Sequence, residues 1–401
     1  MRIALALVLL TLASAQAQGR ARDLGIPFEG TPGPLNAIAD VPGVEVGHKT
    51  LIQGQGPLKV GSGPIRTGVT TIFPRGRADA RPVYGGYFDL NGNGEMTGSA
   101  YLQDFGVVQG PIGLTDTNAI GQVYAAIQQW NWKRFGATTV PVVAETWSGY
   151  LNDMDGFHIT PETAIAALDA AKPGPVEEGN VGGGTGMVCF GFKGGIGTAS
   201  RVVSITGKRF TVGVLAQYNT GDRKVLRIAG APVGQAIGKR WLPCFDATVA
   251  KSAGQLMPCN ADGSAGSAPP DQGSIIIVVG TDAPLMPKQL DRLARRAAMG
   301  LARLGSYAGN ASGDLVISFS TAVAEVNYAE QTKPSPISPL ANMQIDPIFE
   351  ATTQATEEAI VNALIAARTM TGINGTRFFG LPHDELRAIL KRYNRLEDRR
   401  R

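Results

Sequence analysis

The residues with the clearest chemical potential are Gly273 and Ser274, where a flexible segment meets an apolar strand. Residues 261–272 are polar and rich in glycine and proline, which is typical of irregular structure. Residues 275–279 are a run of isoleucine and valine, which predicts a strand buried on both faces. A cut before Ser274 would give one residue both a nucleophilic hydroxyl and a free α-amine. Such an amine has a reference pKa of about 7.7–8.0, so it can act as a base near neutral pH.

Competing catalytic patterns are weak in this chain. Its three histidines, His48, His158 and His383, are scattered and form no His-Glu-x-x-His zinc motif. The absence of Gly-x-Ser-x-Gly disfavours a nucleophile elbow, although a triad with His48 or His158 as its base stays open. The Gly-Ser pair also fits an ordinary start of a strand, so self-cleavage is one of two local interpretations.

Two glycine-rich regions resemble ligand loops only in part. Residues 89–94 begin like a calcium loop, but Ala100 stands at the twelfth position, where a glutamate is required. Residues 180–187 and 193–197 lack the Gly-Lys-Ser/Thr of a phosphate-binding loop. We therefore expect no metal and no nucleotide, and we expect these glycines to let the backbone pass close to a substrate or another strand.

Polar residues follow the predicted strand over residues 140–144. Glu145 and Tyr150 would place an acid and an aromatic hydroxyl at the end of this strand, a composition suited to the wall of a polar site. An ordinary surface loop explains the same residues equally well.

Two further strand ends carry polar side chains. Asn219 follows the predicted strand 211–217, where an amide could donate a hydrogen bond to an oxyanion. Ser312 and Asp314 lie just before the predicted strand 315–320, and Asp314 could hold a cationic amine. Such residues also form ordinary turns, so the pattern alone leaves both interpretations open.

Composition restricts the class of protein. The chain has 401 residues with 17% charged and 43% hydrophobic side chains, values typical of a compact globular protein. Its formal charge is only +4, without a long basic stripe interleaved with aromatic residues, so nucleic acid is not an expected partner. The basic run 399–401 ends an amphipathic segment over 386–393, which predicts a solvated helix end.

The first residues have the features of a secretory signal. Met1-Arg2 precedes a short apolar run over residues 3–12, and the small-x-small sequence at 15–17 predicts cleavage after Ala17. The apolar run is too short to span a bilayer stably. We expect a signal peptide over residues 1–17 and a mature protein that is periplasmic or secreted and has no membrane segment.

In an exported protein, cysteines can form disulfides, so the positions of the three cysteines are informative. Cys189 lies in an apolar run and is predicted to be a small buried side chain. Cys244 and Cys259 flank a polar stretch, and because an oxidising compartment permits such a bond, we expect a disulfide between them.

Apolar strands alternate with helical patterns along the chain. Strands are predicted over residues 69–73, 140–144, 202–205, 211–217, 275–279 and 315–320. Helices are predicted to begin near Ile120, at Thr160-Pro161, near Leu290 and at Asp346-Pro347. With one loop-rich gap at about 244–273, this order predicts layered sheets covered by helices in one domain.

Several segments together carry a resemblance to a known family. They are residues 38–44 with 46–48, 180–187 with 191–201, 273–274 leading to 281–285, and 312–314. In combination they resemble the DmpA-type family, the L-aminopeptidase and D-amino-acid esterase/amidase group that includes β-peptidyl aminopeptidases. The resemblance covers the chain from about residue 22 to about residue 381.

The resemblance implies an α+β fold, a four-layer αββα sandwich of the N-terminal-nucleophile-hydrolase type. Residues 18–401 would form one domain, self-cleaved into an α chain of residues 18–273 and a β chain of residues 274–401. It also implies a homo-oligomer of several αβ units, with neither a metal nor an organic cofactor.

Roles follow for individual positions by the same resemblance. Ser274 would be the nucleophile and new N-terminus, and Asn219 would line the oxyanion hole. Ser312 and Asp314 would form hydrogen bonds that orient the Ser274 amine.

Two more positions would face the substrate, a small peptide or an amino-acid amide or ester. Tyr150 would lie near this substrate, and Glu145 would bind its free amine.

The implied reaction begins when the Ser274 hydroxyl attacks the Gly273 carbonyl, and water then releases the chain from the resulting ester. In the mature enzyme the Ser274 amine or a nearby group accepts the hydroxyl proton, and an acyl-enzyme forms on Ser274.

Three hypotheses about function follow. The first is a self-processing serine aminopeptidase or amidase that acts on L-, D- or β-amino-acid substrates. The second is an amidase on ω-amino-acid oligomers or a related acyltransferase. The third is an exported binding protein that keeps the fold and stays uncut.

Overall fold

A computed structural model of the chain describes residues 19–260, 273–322 and 338–397. The predicted signal peptide, the segment 261–272 and the basic run 399–401 lie outside these ranges. The strands are β1 (Glu45–Gln53), β2 (Ile65–Phe73), β3 (Val83–Gly92), β4 (Val107–Val108), β5 (Ile112–Asp116), β6 (Val142–Thr146), β7 (Val188–Cys189), β8 (Phe192–Lys193), β9 (Gly195–Ile205), β10 (Lys208–Tyr218), β11 (Cys244–Phe245), β12 (Met257–Pro258), β13 (Ser274–Thr281), β14 (Gly313–Ser320), β15 (Met370–Thr371) and β16 (Thr376–Phe378). The α-helices are α1 (Ser99–Phe105), α2 (Ile120–Phe135), α3 (Pro161–Asp169), α4 (Val233–Ile237), α5 (Pro287–Arg303), α6 (Asp346–Ala366) and α7 (His383–Arg392).

Two large sheets form the centre of the structure. The smaller has the strand order β1-β2-β5-β6, and the larger has the order β4-β3-β14-β13-β10-β9. In the larger sheet β13 is antiparallel to β10 and parallel to β14. The beginnings of β13 and β14 therefore lie beside the end of β10.

Apolar side chains determine how the layers stack. Side chains of both sheets form one buried cluster, with Leu114 and Ala144 from the smaller sheet and Leu215, Ile276 and Leu315 from the larger. A second cluster joins the smaller sheet to α2 and α3, and a third joins the larger sheet to α5 and α6. The order of layers is helix, sheet, sheet, helix, as the resemblance implied.

The hairpin of β9 and β10 determines where β10 ends. Its two-residue turn, Thr206-Gly207, has φ of 48° and 79°, the positive values that a tight type I′ turn requires. From this turn the pairing runs without a break from Ile205 opposite Lys208 to Gly195 opposite Tyr218. The register leaves Asn219 as the first residue beyond the strand.

The elements predicted from periodicity are present, with bounds that differ by a few residues. The predicted gap at about 244–273 needs correction in its first part, because β11 and β12 lie there. They join β15 and β16 in a small sheet of order β12-β11-β16-β15. β11 and β12 have only two residues each, too few to produce an alternating pattern in the sequence.

The cysteines take the places expected from the sequence. A disulfide joins Cys244 to Cys259 beside this small sheet. Cys189 is buried and is not part of a disulfide. Among the helices in the described ranges, none combines the length and the apolar character that crossing a bilayer requires.

Candidate active site

Three adjacent strand ends bring the candidate catalytic residues together. The Ser274 N–H donates to the Asn219 carbonyl at 3.2 Å, and the Asn219 N–H donates to the Ser274 carbonyl at 3.0 Å. On the other side, the Gly313 N–H donates to the Gly273 carbonyl at 3.1 Å. Backbone pairing alone therefore places Asn219, Ser274 and the Ser312–Asp314 segment side by side.

Gly273 lies in direct contact with the neighbouring strand. A Cβ atom at this position would lie 1.8 Å from the Asn219 carbonyl oxygen and 2.6 Å from the Thr220 Cα. No larger residue fits without a shift of backbone atoms, so close approach explains the glycine here.

A directed chain of hydroxyl groups leads to Asp314. The Ser312 Oγ donates to the Asp314 Oδ1 at 2.7 Å, and the Thr220 Oγ1 lies 2.9 Å from the Ser312 Oγ. Since Ser312 has one hydroxyl proton and gives it to the carboxylate, Thr220 donates to Ser312. Ser312 and Asp314 are almost fully buried, so water does not weaken these bonds.

The Asn219 side chain is held at both ends. Its Oδ1 accepts the Val188 N–H at 2.7 Å, and its Nδ2 donates to the Trp147 carbonyl at 2.8 Å. These partners settle which end of the amide is oxygen, because the reverse orientation would place like groups together. The Nδ2 carries a second N–H, which can donate to a substrate oxygen.

Glu145 lies in β6, across the sandwich from β14. Its carboxylate accepts the Glu95 N–H at 3.1 Å and the Thr117 hydroxyl. Its Oε1 would lie 3.1 Å from a Cβ at Gly94, and that same Cβ would lie 3.5 Å from the Gly313 Cα. The carboxylate is therefore near the start of β14. Burial raises its pKa, and the hydrogen bond from Thr117 opposes this shift.

Tyr150 is part of an aromatic wall next to Asn219. Its ring lies edge-on to Trp147, with centroids 4.9 Å apart, and 5.4 Å from the ring of Phe378. Because the Trp147 carbonyl also binds the Asn219 amide, this wall is joined directly to the candidate oxyanion hole.

His48 and His158 form hydrogen bonds with residues outside the candidate catalytic group. His48 Nδ1 pairs with the Thr70 hydroxyl, and His158 Nε2 pairs with the Asp153 carboxylate at 2.8 Å. Burial lowers the pKa of His48 to about 4, so this imidazole is neutral at ordinary pH. Within the described ranges the structure thus gives no support to a triad based on either residue.

The chain matches the sequence pattern of peptidase family S58 over residues 36–378. It belongs to peptidase family S58. The predicted family is thereby confirmed, together with the prediction of a serine aminopeptidase or amidase.

Two relatives align along almost the whole chain. A β-peptidyl aminopeptidase, BapA, of Sphingosinicella microcystinivorans is 52% identical over 379 residues, which are 94% of this chain and 93% of the relative. The BapA of Sphingosinicella xenopeptidilytica is 48% identical and covers 93% of this chain and 91% of its own length.

Solved S58-like structures have the same fold. The L-aminopeptidase D-Ala-esterase/amidase of Ochrobactrum anthropi, described as a variant of the Ntn hydrolase fold, is 42% identical with a TM-score of 0.84. The match covers 94% of this chain and 99% of that one. A Burkholderia β-aminopeptidase is 40% identical with a TM-score of 0.79, covering 93% and 98%. The predicted N-terminal-nucleophile-type fold is therefore confirmed.

Sequence reasoning missed several parts of the candidate site. The sequence shows that Thr220 places a hydroxyl at a strand end. It does not show that this hydroxyl lies beside Ser312, which is 92 residues further along the chain. The Trp147 carbonyl and the Val188 N–H are backbone groups, which every residue but proline carries in the same form. Only strand register shows that they hold the Asn219 amide.

Proposed function

We propose that the chain cleaves itself between Gly273 and Ser274 and then removes N-terminal β-amino-acid residues from short peptides and amides. One observation carries the proposal: three neighbouring strand ends bring Ser274, an amide donor and a buried hydroxyl–carboxylate chain to one place. The roles assigned below to Ser274, Asn219, Ser312, Asp314, Glu145 and Tyr150 are part of this proposal.

Self-cleavage would start from the Ser274 hydroxyl. Its oxygen attacks the Gly273 carbonyl carbon and the amide bond breaks, so the acyl group moves to oxygen and the amine is freed. The Gly313 N–H, 3.1 Å from the Gly273 oxygen, can stabilise the negative charge that develops there. Water then hydrolyses the ester and leaves Ser274 as an N-terminal residue.

The mature reaction uses both groups of Ser274. The α-amine accepts the hydroxyl proton as the oxygen attacks the substrate carbonyl, and the Asn219 amide donates to the oxyanion. The leaving amine departs with a proton, and water releases the acyl group from Ser274. The buried Ser312–Asp314 pair supplies a fixed acceptor beside the new terminus and orients its amine.

Substrate selection would depend on the free amine. Glu145 offers a buried carboxylate near the start of β14, suited to an ammonium group, and Tyr150 lies in the aromatic wall next to Asn219. A β-amino acid has one more carbon between amine and carbonyl than an α-amino acid. The preference for β-residues is supported by the names of relatives that are 52% and 48% identical.

A substrate panel tests the activity. We expect p-nitroanilides of β-amino acids to be hydrolysed faster than those of L-amino acids, and N-acetylated versions to be inert. Quenched reactions should carry the acyl group on Ser274 by mass spectrometry, and Ser274→Ala should abolish turnover, whereas Ser204→Ala, an exposed serine on β9, should not. Turnover by purified Ser274→Ala, or an acyl group on another residue, would refute the proposal.

Export is a separate part of the proposal. The Cys244–Cys259 disulfide supports an oxidising compartment, where such bonds persist. N-terminal sequencing of protein from the periplasm or medium should begin at residue 18. A chain that retains Met1 and stays in the cytosol would contradict export without affecting the enzymatic proposal.

A further inference from the structure

A buried lysine lies behind the candidate oxyanion hole. Lys193, in β8, has no solvent exposure, and its Nζ donates to the carbonyls of Met187 at 2.5 Å, Gly194 at 2.8 Å and Gly184 at 3.3 Å. In the portion of the chain that the structure describes, no carboxylate lies within ion-pair distance of this amine. Three carbonyl acceptors match the three donors of an ammonium group, whereas a neutral amine has only two.

Such a group is costly to bury. Loss of hydration lowers the pKa of Lys193 to about 7, because the charged form is disfavoured away from water. An apolar side chain of similar length would fill the same space without this cost. The three carbonyls suit the ammonium form, which predominates below this pKa, and together with the cost of burial they point to a role for the charge itself.

The Met187–Val188 peptide group connects Lys193 to Asn219. The carbonyl oxygen of this peptide accepts from Lys193, and its N–H donates to the Asn219 Oδ1 at 2.7 Å. Positive charge at the oxygen of an amide draws electron density from its nitrogen and makes the N–H a stronger donor. The same effect passes through the Asn219 amide to its Nδ2, since chains of hydrogen bonds polarise one another.

The charged and titratable groups near Lys193 do not oppose its effect on the Asn219 amide. Burial raises the pKa of the Cys189 thiol, so the neighbouring sulfur is neutral. Arg223 lies over the Phe192 ring and donates to the carbonyls of Phe190 and Gly191. Among the described residues, Arg223 donates to a different set of carbonyls from Lys193, and no hydrogen bond joins these carbonyls to the Asn219 side chain.

We propose that Lys193 is a positioning residue that holds and polarises the Asn219 amide through the Met187–Val188 peptide, and so strengthens the oxyanion hole. The proposal rests on the proposed function, in which Asn219 is the oxyanion donor. Loss of an oxyanion-hole donor typically slows turnover by a factor of about 10²–10³. Weakening the donor rather than removing it should slow kcat by about tenfold.

Lys193→Met removes the charge while keeping the side-chain length. We expect kcat to fall about tenfold with KM little changed, measured per processed enzyme. Affinity for a β-aminoalkyl boronic acid, which forms a tetrahedral adduct on Ser274, should fall by the same factor. Affinity for the corresponding β-amino alcohol, which forms no adduct, should stay within about twofold.

Two further variants make the test decisive. Lys193→Gln keeps amide donors for the carbonyls without the charge and should show the same selective loss. Arg223→Met, the control, removes another buried cation of the same region and should lower thermal stability without changing the ratio of the two affinities.

The result that would overturn the proposal is an equal loss of both affinities, or an unchanged kcat, in a folded Lys193 variant. Failure of both Lys193 variants to fold and mature would also overturn it, in favour of a purely structural lysine. If the wild-type enzyme itself does not bind the boronic acid at Ser274, it is the proposed function that fails.

Discussion

Among the residues of the site, the direction of the hydrogen bonds matters as much as their presence. Asp314 can only accept while it is ionised, so the protons of Ser312 and then Thr220 must point towards it. These hydrogen bonds fix the orientation of the Ser312 and Thr220 hydroxyl groups beside the start of β13. A substitution that removes one hydroxyl donor should therefore change the orientation of the neighbouring hydroxyl, while the other side chains of the site stay in place.

Thr220→Val keeps the shape of the side chain and removes the proton that Ser312 accepts. A typical hydrogen bond contributes about 0.5–1.5 kcal/mol, so we expect kcat to fall by about 2- to 13-fold, because the Ser312–Asp314 pair loses its orientation. Thr220→Ser, which keeps the hydroxyl, is the control in the same steady-state assay. Equal rates in wild type and Thr220→Val would show that the hydroxyl chain does not assist catalysis.

Glu145→Gln tests recognition of the substrate amine. We expect KM to rise at least tenfold with a smaller change in kcat, since a neutral amide binds ammonium weakly. Glu95→Gln is the control, because this neighbouring carboxyl is exposed and its N–H, not its side chain, bonds to Glu145.

The pH dependence of KM gives a second measurement. Burial raises the pKa of Glu145 above its ordinary value of 4.5, so the carboxylate takes up a proton at a higher pH than an exposed glutamate. As the pH falls through this raised pKa, the charge is lost and KM should increase. A KM that stays flat down to pH 4.5 would contradict the assignment of Glu145 as the amine site.

Among the elements, strands were the easiest to predict and their register the hardest. The apolar runs of β13 and β10 were visible in the sequence, because strands buried on both faces require apolar side chains. Nothing local in the sequence indicates that β13 is parallel to β14 and antiparallel to β10. The resemblance to a family supplied Asn219, Ser312 and Asp314 as a set, whereas Thr220 required the paired strands.

The small sheet of β11, β12, β15 and β16 supports the aromatic wall. Phe245 and Phe378 belong to one buried cluster, against which Tyr150 packs, and Cys259 packs beside the adjacent Phe379. The disulfide closes this region across a separation of 15 residues. We infer that it keeps the wall in place next to the site.

The double variant Cys244→Ala/Cys259→Ala should lower the melting temperature, since a loop of this length contributes up to about 3 kcal/mol when closed. KM should rise more than kcat falls, because Tyr150 loses part of its support. Cys189→Ala, which removes a buried thiol without opening a loop, is the control for both measurements. A double variant with wild-type KM would show that the disulfide does not hold the aromatic wall in place.

In the whole molecule, one buried carboxylate joins segments on either side of the proposed cut. Glu358 in α6 accepts from Arg22 at 2.8 Å, from Asn36 at 2.6 Å and from Arg201 at 2.7 Å. Burial raises the pKa of Glu358, but the two guanidinium groups outweigh it and hold that pKa below its ordinary value. The α chain would thus remain bound to the β chain after cleavage.

Glu358→Gln should destabilise the molecule by about 3–5 kcal/mol, because it leaves the buried Arg201 guanidinium without a counter-charge. Urea unfolding should show a lower midpoint and earlier separation of the two chains. Glu357→Gln, which affects a partly exposed pair with Arg303, should cost about 0–1 kcal/mol. If both variants unfold at the same midpoint, Glu358 does not hold the chains together.

The wild-type contribution of Glu358 also has a defined pH window. Its folded-state pKa is depressed, so its stabilising effect is present above the ordinary value of 4.5 and is lost as the pH falls through the folded pKa.

Intact-mass measurement of the purified protein tests the central claim most directly. We predict two polypeptides, one ending at Gly273 and one beginning at Ser274, in wild-type protein, and a single uncut chain in Ser274→Ala. A wild-type protein that stays as one chain while it hydrolyses its substrate would contradict the account, as would a Ser274→Ala variant that is cut at the same bond.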